Sequence, residues 1–166
     1  PALHEQLEAL DPLVKADAAW CCAGIANHNA ALASAVAEGG GGSVLALLSQ
    51  CLKEPSLPLR RIALSCASCV GKHDATLAGL LQKEGLLEAA GGLLKHRDAL
   101  VRRHACRLLA VTTAQLEGTG HLPAEAIADV LACLTDSEDD IETGSFAAAL
   151  LGQVAKVSPA KAGDMR

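Results

Sequence analysis

The sequence predicts an all-α protein, a right-handed solenoid of about three to four stacked helical repeats. Three observations carry that expectation. Hydrophobic residues make up 51% of the 166, yet aromatics are only 1%, with no Tyr, one Trp and one Phe. A large β-sandwich draws on Val, Ile, Tyr and Phe, whereas alanine and leucine, which dominate here, favour helices. The third observation is an internal repeat, because four segments of the chain align with one another at intervals of 45, 42 and 40 residues.

The anchors of that repeat are Val14, Leu59, Val101 and Ile141. Each opens a stripe at offsets 0, 4, 7 and 11, a spacing that keeps all members on one face of an α-helix. The stripes read Val14/Ala18/Cys21/Ile25, Leu59/Ala63/Cys66/Val70, Val101/Ala105/Leu108/Thr112 and Ile141/Ser145/Ala148/Gly152. Their second position is always Ala or Ser, which lets neighbouring helices approach closely. Shorter helices lie between the long ones. Ala30 to Ala37 forms one, the run Glu38-Gly39-Gly40-Gly41-Gly42 breaks it, and Ser43 caps the next through Cys51, which Pro55 and Pro58 close off. The following unit repeats the plan, with Asp74 to Lys83, a break at Glu84-Gly85, and Leu86 to Lys95. In the third unit Glu117-Gly118-Thr119-Gly120 replaces the first short helix, and Pro123 opens a helix through Leu134. Ser137-Glu138-Asp139-Asp140 caps the last long helix and places acids in its first turn.

Three-helix units of about 42 residues describe an armadillo or HEAT-type solenoid, in which no unit buries its apolar face alone. Residues 1–166 read as one such segment, with units roughly 1–28 (partial), 29–73, 74–115 and 116–157. Ala2 to Leu10 resembles the second helix of a unit whose start is missing, so a longer array is expected.

Composition also restricts function. The net charge of −5 argues against a general phosphate-backbone binder, so no nucleic-acid partner is expected. No apolar run approaches the ~20 residues that span a bilayer, and Pro1-Ala2-Leu3-His4-Glu5 is no export signal. Seven cysteines in apolar helical contexts are expected as reduced thiols packed like small hydrophobes, as in a cytosolic protein.

The segment from Asp11 to Trp20 resembles the start of an armadillo third helix, with its Ala-Leu-Trp-type run. His28-Asn29-Ala30-Ala31-Leu32-Ala33 and His73-Asp74-Ala75-Thr76-Leu77-Ala78 are similar to helix junctions in the ciliary axonemal armadillo proteins of the sperm-associated antigen six type, and Gly152-Gln153-Val154-Ala155-Lys156 to another helix ending of that group. Axonemal armadillo proteins that dock outer dynein arms are equally similar. The resemblance implies a structural component of the ciliary or flagellar axoneme, with tubulin or axonemal proteins as partners. Nuclear-import adaptors share the fold and grip basic peptides with repeated Trp and Asn four residues apart. Here the corresponding pairs are Trp20/Gly24, Ser65/Cys69, Arg107/Val111 and Ala147/Leu151, so that function is not expected and Trp20 reads as a core or groove residue.

No catalytic constellation emerges. Cys66 and Cys69 have the spacing of half a zinc site without a second pair, so no metal is expected. His4-Glu5 begins a zinc-protease helix but Glu8 stands where its second His belongs, and Gly71-Lys72 ends like a phosphate loop whose other positions are Cys66 and His73. A Cys–His nucleophile pair stays open from sequence, although a solenoid of small residues offers no obvious pocket for one. No cofactor is expected.

What remains is a basic row. Lys15, Arg60 and Arg102 share one repeat position, and Arg61 and Arg103 the next. Helices packed about 8–10 Å apart tolerate such a row, since like charges repel by only ~0.4 kcal/mol in water at that spacing. Lys95, His96, Arg97 and Arg107 would widen the patch, and Glu142 would end it. Lys15, Arg60, Arg61, Arg102, Arg103 and Arg107 are therefore candidate partner-binding residues, gripping the carboxylates of an acidic segment, or else solvated first-turn residues. The functional expectation is a non-enzymatic protein-interaction scaffold, either an axonemal component or a cytosolic adaptor for acidic peptides. The reading from another class is a regulatory or catalytic subunit with a reactive cysteine.

Overall fold

The computed structural model describes residues 2–39, 43–116, 124–135 and 140–157. They form α1 (Ala2–Leu7), α2 (Pro12–Ala26), α3 (Ala30–Ala37), α4 (Val44–Cys51), α5 (Leu57–Gly71), α6 (Ala75–Lys83), α7 (Leu86–Gly92), α8 (Ala99–Gln115), α9 (Ala124–Thr135) and α10 (Ile141–Val157). Most begin at a side chain that accepts from one of the orphan first-turn amides. Asp11 accepts from Leu13 N at 2.8 Å, Asp98 from Val101 N at 2.9 Å and Asp140 from Thr143 N at 3.2 Å. Asn29, Ser43, Ser56 and Asp74 do the same for α3, α4, α5 and α6. Helix α7 starts instead at Gly85, whose φ of 73° lies in the left-handed region open to glycine. It stops at Gly92 rather than the expected Lys95. Two consecutive glycines make a weak helix end there, and the turn that follows buries Leu94. The expected breaks at Gly40–Gly42 and Glu117–Gly120, the start at Pro123, and Ser137 to Asp139 lie outside the described residues.

The long helices α2, α5, α8 and α10 pack side by side in one layer. The second helices α1, α4 and α7 pack onto them but barely meet one another. A stack that is tight along one layer and loose along another curves, with the long helices on the inside. Helices α3, α4 and α5 make one three-helix unit, α6, α7 and α8 the next, and each closes its core against the previous one. The interior is leucine, alanine and cysteine, with Leu45, Leu48, Leu64, Leu81, Leu108 and Leu109 fully buried.

The predicted stripes hold for the two middle helices. Leu59, Ala63, Cys66 and Val70 are buried, as are Val101, Ala105, Leu108 and Thr112. The fourth stripe is corrected. Ile141 is 86% exposed, and Ser145, Ala148 and Gly152 are exposed as well. The buried face of α10 is Thr143/Ala147/Leu150/Val154, the same 0, 4, 7, 11 pattern moved two residues. With Thr143 as anchor the intervals become 45, 42 and 42, and each anchor stands three residues after its cap: Asp11, Ser56, Asp98, Asp140. The second position is then alanine in every unit, at Ala18, Ala63, Ala105 and Ala147. In the first stripe only Ala18 is buried, Val14 is half-buried, and Cys21 and Ile25 are exposed, because among the described residues only the short α1 leans over that face.

Two expected outcomes follow from this packing. Ala105→Leu should destabilise by about 1–3 kcal/mol, since three further carbons must enter a closed helix–helix contact. At Gly71 an added Cβ would meet Thr112 Cγ2 at 2.6 Å and crowd Leu81, both buried. Gly71→Ala should therefore cost about 1–3 kcal/mol despite alanine's better helix propensity. Urea denaturation followed by circular dichroism measures both, and an unchanged midpoint for either would contradict the packing described.

Candidate functional site

Two lines of hydrogen bonds stitch the inner layer, one at each end of its helices. At the amino-terminal end, Arg61 of α5 donates through Nε and Nη2 to both oxygens of Asp98, the residue that caps α8. Forty-two residues on, Arg103 of α8 repeats the contact with Asp140, the cap of α10, at 3.1 and 2.8 Å, and adds Glu142 at 2.9 Å. Lys15 makes the related bridge from α2 to Glu54, two residues before the α5 cap. Hydrogen bonds from arginine hold the Asp98 carboxyl below its usual range, and Thr143 and Arg103 do so for Asp140 against the opposing effect of burial.

At the carboxy-terminal end the donors reach backward. Lys72 donates to the Asn27 carbonyl at 3.1 Å and its side-chain oxygen at 2.6 Å. Gln115 donates to the Lys72 carbonyl at 2.7 Å, and His73 Nε2 lies 2.7 Å from the Ala26 carbonyl. These carbonyls are the orphan acceptors of the preceding helix ends. Sequence reading missed this role for His73, Lys72 and Gln115. The 43–47-residue separations repeat the unit length, and that was the available signal.

The basic row is thus distributed among several duties. Lys15, Arg61 and Arg103 are ion-paired within the protein. Arg60 and Arg102 turn toward the segment between α7 and α8, where Arg60 Nη1 lies 3.2 Å from His96 Nε2 and Arg102 donates to the His96 and Arg97 carbonyls at 2.9 and 3.2 Å. Lys95 pairs with Asp129 at 3.0 Å. Arg107 alone of the six stands on the inner groove, on the row Trp20/Ser65/Arg107/Ala149, with no ion pair or hydrogen bond among the described residues.

That groove runs across α2, α5, α8 and α10, from exposed Trp20 and Gly24 to half-buried Arg107 and buried Cys69. Its rows are Asp17/Ile62/His104/Phe146, Trp20/Ser65/Arg107/Ala149 and Gly24/Cys69/Val111/Gln153. The shift in α10 replaces the pair Ala147/Leu151 of the sequence reading by Ala149/Gln153. Trp20 is 65% exposed, so it is a groove residue and not a core one, and with Ala23, Gly24, Asn27, Ser65 and Cys69 it borders a cavity of about 250 Å³ between α2 and α5. A second cavity of about 350 Å³ lies at the α1 end, lined by Leu3, His4, Cys22, Ile25, Val36 and Val44 among others.

The cysteines are free thiols, and Cys21 is exposed where a packed position was expected, since it lies on the face of α2 that only the short α1 leans over. Burial pushes Cys22 and Cys51 up to about 11 and raises Cys66 well above the ordinary thiol value; Cys106 is raised by its hydrogen bond with Cys133 and by burial. Such thiols are poor nucleophiles and poor metal ligands at neutral pH. Among the described residues no three His, Cys, Asp or Glu side chains converge for a metal, and no helix is long and apolar enough to cross a membrane.

Comparison with solved structures shows the fold to be the armadillo-repeat solenoid. A designed armadillo repeat protein superposes with a TM-score of 0.84 at 18% identity, over 97% of this chain and 66% of that one. Another, in complex with the peptide (KR)4, gives 0.84 at 18% identity over 96% and 65%. A computationally designed armadillo protein for modular peptide recognition gives 0.82 at 19% identity over 94% and 64%. This chain therefore spans about two thirds of their length. No protein-family model matches it, and no curated protein matches it in sequence.

The Arg61–Asp98 contact has a measurable consequence. Asp98→Ala removes a cap worth about 1 kcal/mol and an ion pair worth up to about 1 kcal/mol. Because Asp98 titrates below an ordinary carboxyl, its contribution is complete above about pH 4 and is lost as pH falls through its depressed value. The stability gap between wild type and Asp98→Ala should be widest near neutrality and narrow under acid, and a pH-independent gap in chemical denaturation would refute this.

Proposed function

We propose that this chain is a non-enzymatic protein-interaction scaffold that holds an extended segment of another protein along its inner groove. The observation that carries this reading is the exposed Trp20, the only tryptophan of the chain, set beside the small residues Gly24 and Ser65 over an open cavity in the long-helix layer. An aromatic side chain offers large contact area at low entropic cost, and next to glycine it leaves room for an incoming chain. Two of the structural neighbours are described by their peptide ligand or by peptide recognition, which supports the same use of the layer. Burial and raised thiols weigh against Cys22, Cys51 and Cys66 as the nucleophile of a reactive-cysteine subunit.

A finer placement that we propose is the ciliary or flagellar axoneme, with tubulin or neighbouring axonemal proteins as partners. Its support is the pair of helix junctions at His28 and His73. The structure gives His73 a structural duty, the contact with Ala26, while His28 is exposed. Co-sedimentation of the protein with axonemal fractions tests that placement, and its absence from them would leave a general adaptor.

The groove itself is tested by site-specific photo-crosslinking in cells. A crosslinker at position 24 should capture partner proteins, whereas one at the exposed outer position Glu88 should capture few or none. Equal capture from both would sink the groove reading, as would capture at position 24 that survives Trp20→Ala unchanged.

A further inference from the structure

Resting on the groove reading above, we propose that Arg107 and His104, at the centre of the groove between α5 and α10, form a subsite for an acidic side chain of the bound segment, and that mild acidification tightens its hold. Among the described residues Arg107 has no ion pair or hydrogen bond there. Asp98 is occupied by Arg61, and Asp140 and Glu142 are occupied by Arg103. Arg107's row neighbours Ser65 and Ala149 are small, so a carboxylate can approach the guanidinium from within the groove. One turn earlier stands His104, half-buried and in the same repeat row as Ile62 and Phe146, with a buried Nδ1 that has no hydrogen-bond partner among the described residues.

His104 also reports the sign of the field at this place. Apart from burial itself, Arg107, Arg103 and Arg61 disfavour its charged form in that order, and only Glu142 opposes them. The groups facing it are therefore Arg61 from α5, Arg103 and Arg107 from α8, and Glu142 from α10, with a positive balance. A lysine or arginine of a ligand would be repelled here, and an aspartate or glutamate attracted. The free His104 is neutral near pH 7, held below the ordinary histidine range by that burial and those arginines. A carboxylate beside it favours the imidazolium, so binding takes up a proton. The apolar faces of Ile62 and Phe146 suit the methylenes of a glutamate.

Fluorescence anisotropy with three labelled octapeptides, alternating Asp-Glu, Lys-Arg and Ser-Gly, tests this at pH 7.5 and 6.0 and at fixed low salt. The acidic peptide should bind about tenfold more tightly than the basic one and tighten about threefold at pH 6.0. Arg107→Ala should weaken it about tenfold, in line with loss of a hydrogen bond to a charged group. His104→Gln, which keeps a polar neutral side chain, should leave binding at pH 7.5 intact and abolish the pH response. Preference for the basic or neutral peptide, indifference to Arg107→Ala, or a pH response that survives His104→Gln would each overturn the subsite. Absence of acidic-peptide binding up to millimolar concentration would overturn it too. The groove reading would stand in any of these cases if crosslinking at position 24 still depends on Trp20, and would fall separately if it does not.

Discussion

The architecture depends on the contact between successive long helices, which alanine keeps short. Ala18, Ala63, Ala105 and Ala147 occupy one position of the repeat, and each is buried. A methyl at that position lets two helix backbones come near enough for the flanking leucines and cysteines to interlock. The tight layer then sets the curvature of the stack, because the second helices outside it meet only loosely. Composition follows from this geometry. A protein with 1% aromatics still closes its core when small side chains bring backbones together and leucines fill the remaining space.

Polar groups then fix what apolar packing leaves free. Alanine and leucine seams are tolerant of sliding, whereas an arginine that must reach the cap of the next helix is not. The forward contacts Arg61–Asp98 and Arg103–Asp140 and the backward ones from Lys72, His73 and Gln115 hold α5 and α8 at both ends, α2 at its carboxy-terminal end and α10 at its amino-terminal end. Each joins residues 37 to 47 apart, so these contacts form only when the neighbouring unit is in place. Cooperativity between units therefore has a polar component beside the hydrophobic one. The row of cations is accordingly divided between holding the stack together and facing a ligand, with Arg107 on the groove side.

Much of this was legible in the sequence, because a helix face repeats at fixed offsets and a cap marks where it starts. The solenoid, the short helices Ala30–Ala37 and Ala75–Lys83 and the middle stripes follow from period and capping alone. The last unit was misregistered because Ile141 is the more hydrophobic anchor, while the buried residue is Thr143, whose hydroxyl donates to the cap Asp140. Cap position was the better guide, since it fixes backbone geometry whatever the hydropathy of the anchor. The ion pairs of Lys15, Arg61 and Arg103 could not be read locally, as each partner lies in the unit that follows. Nor could the exposure of Trp20 be foreseen, because in a repeat the same helical phase is core or groove according to how neighbouring layers curve.

That single indole has a practical corollary. Since it already sits in water on the groove, its emission should change little when the stack unfolds and much more when something covers α2. Intrinsic fluorescence of this protein is thus a gauge of occupancy rather than of folding, a separation that chains with interior tryptophans do not provide.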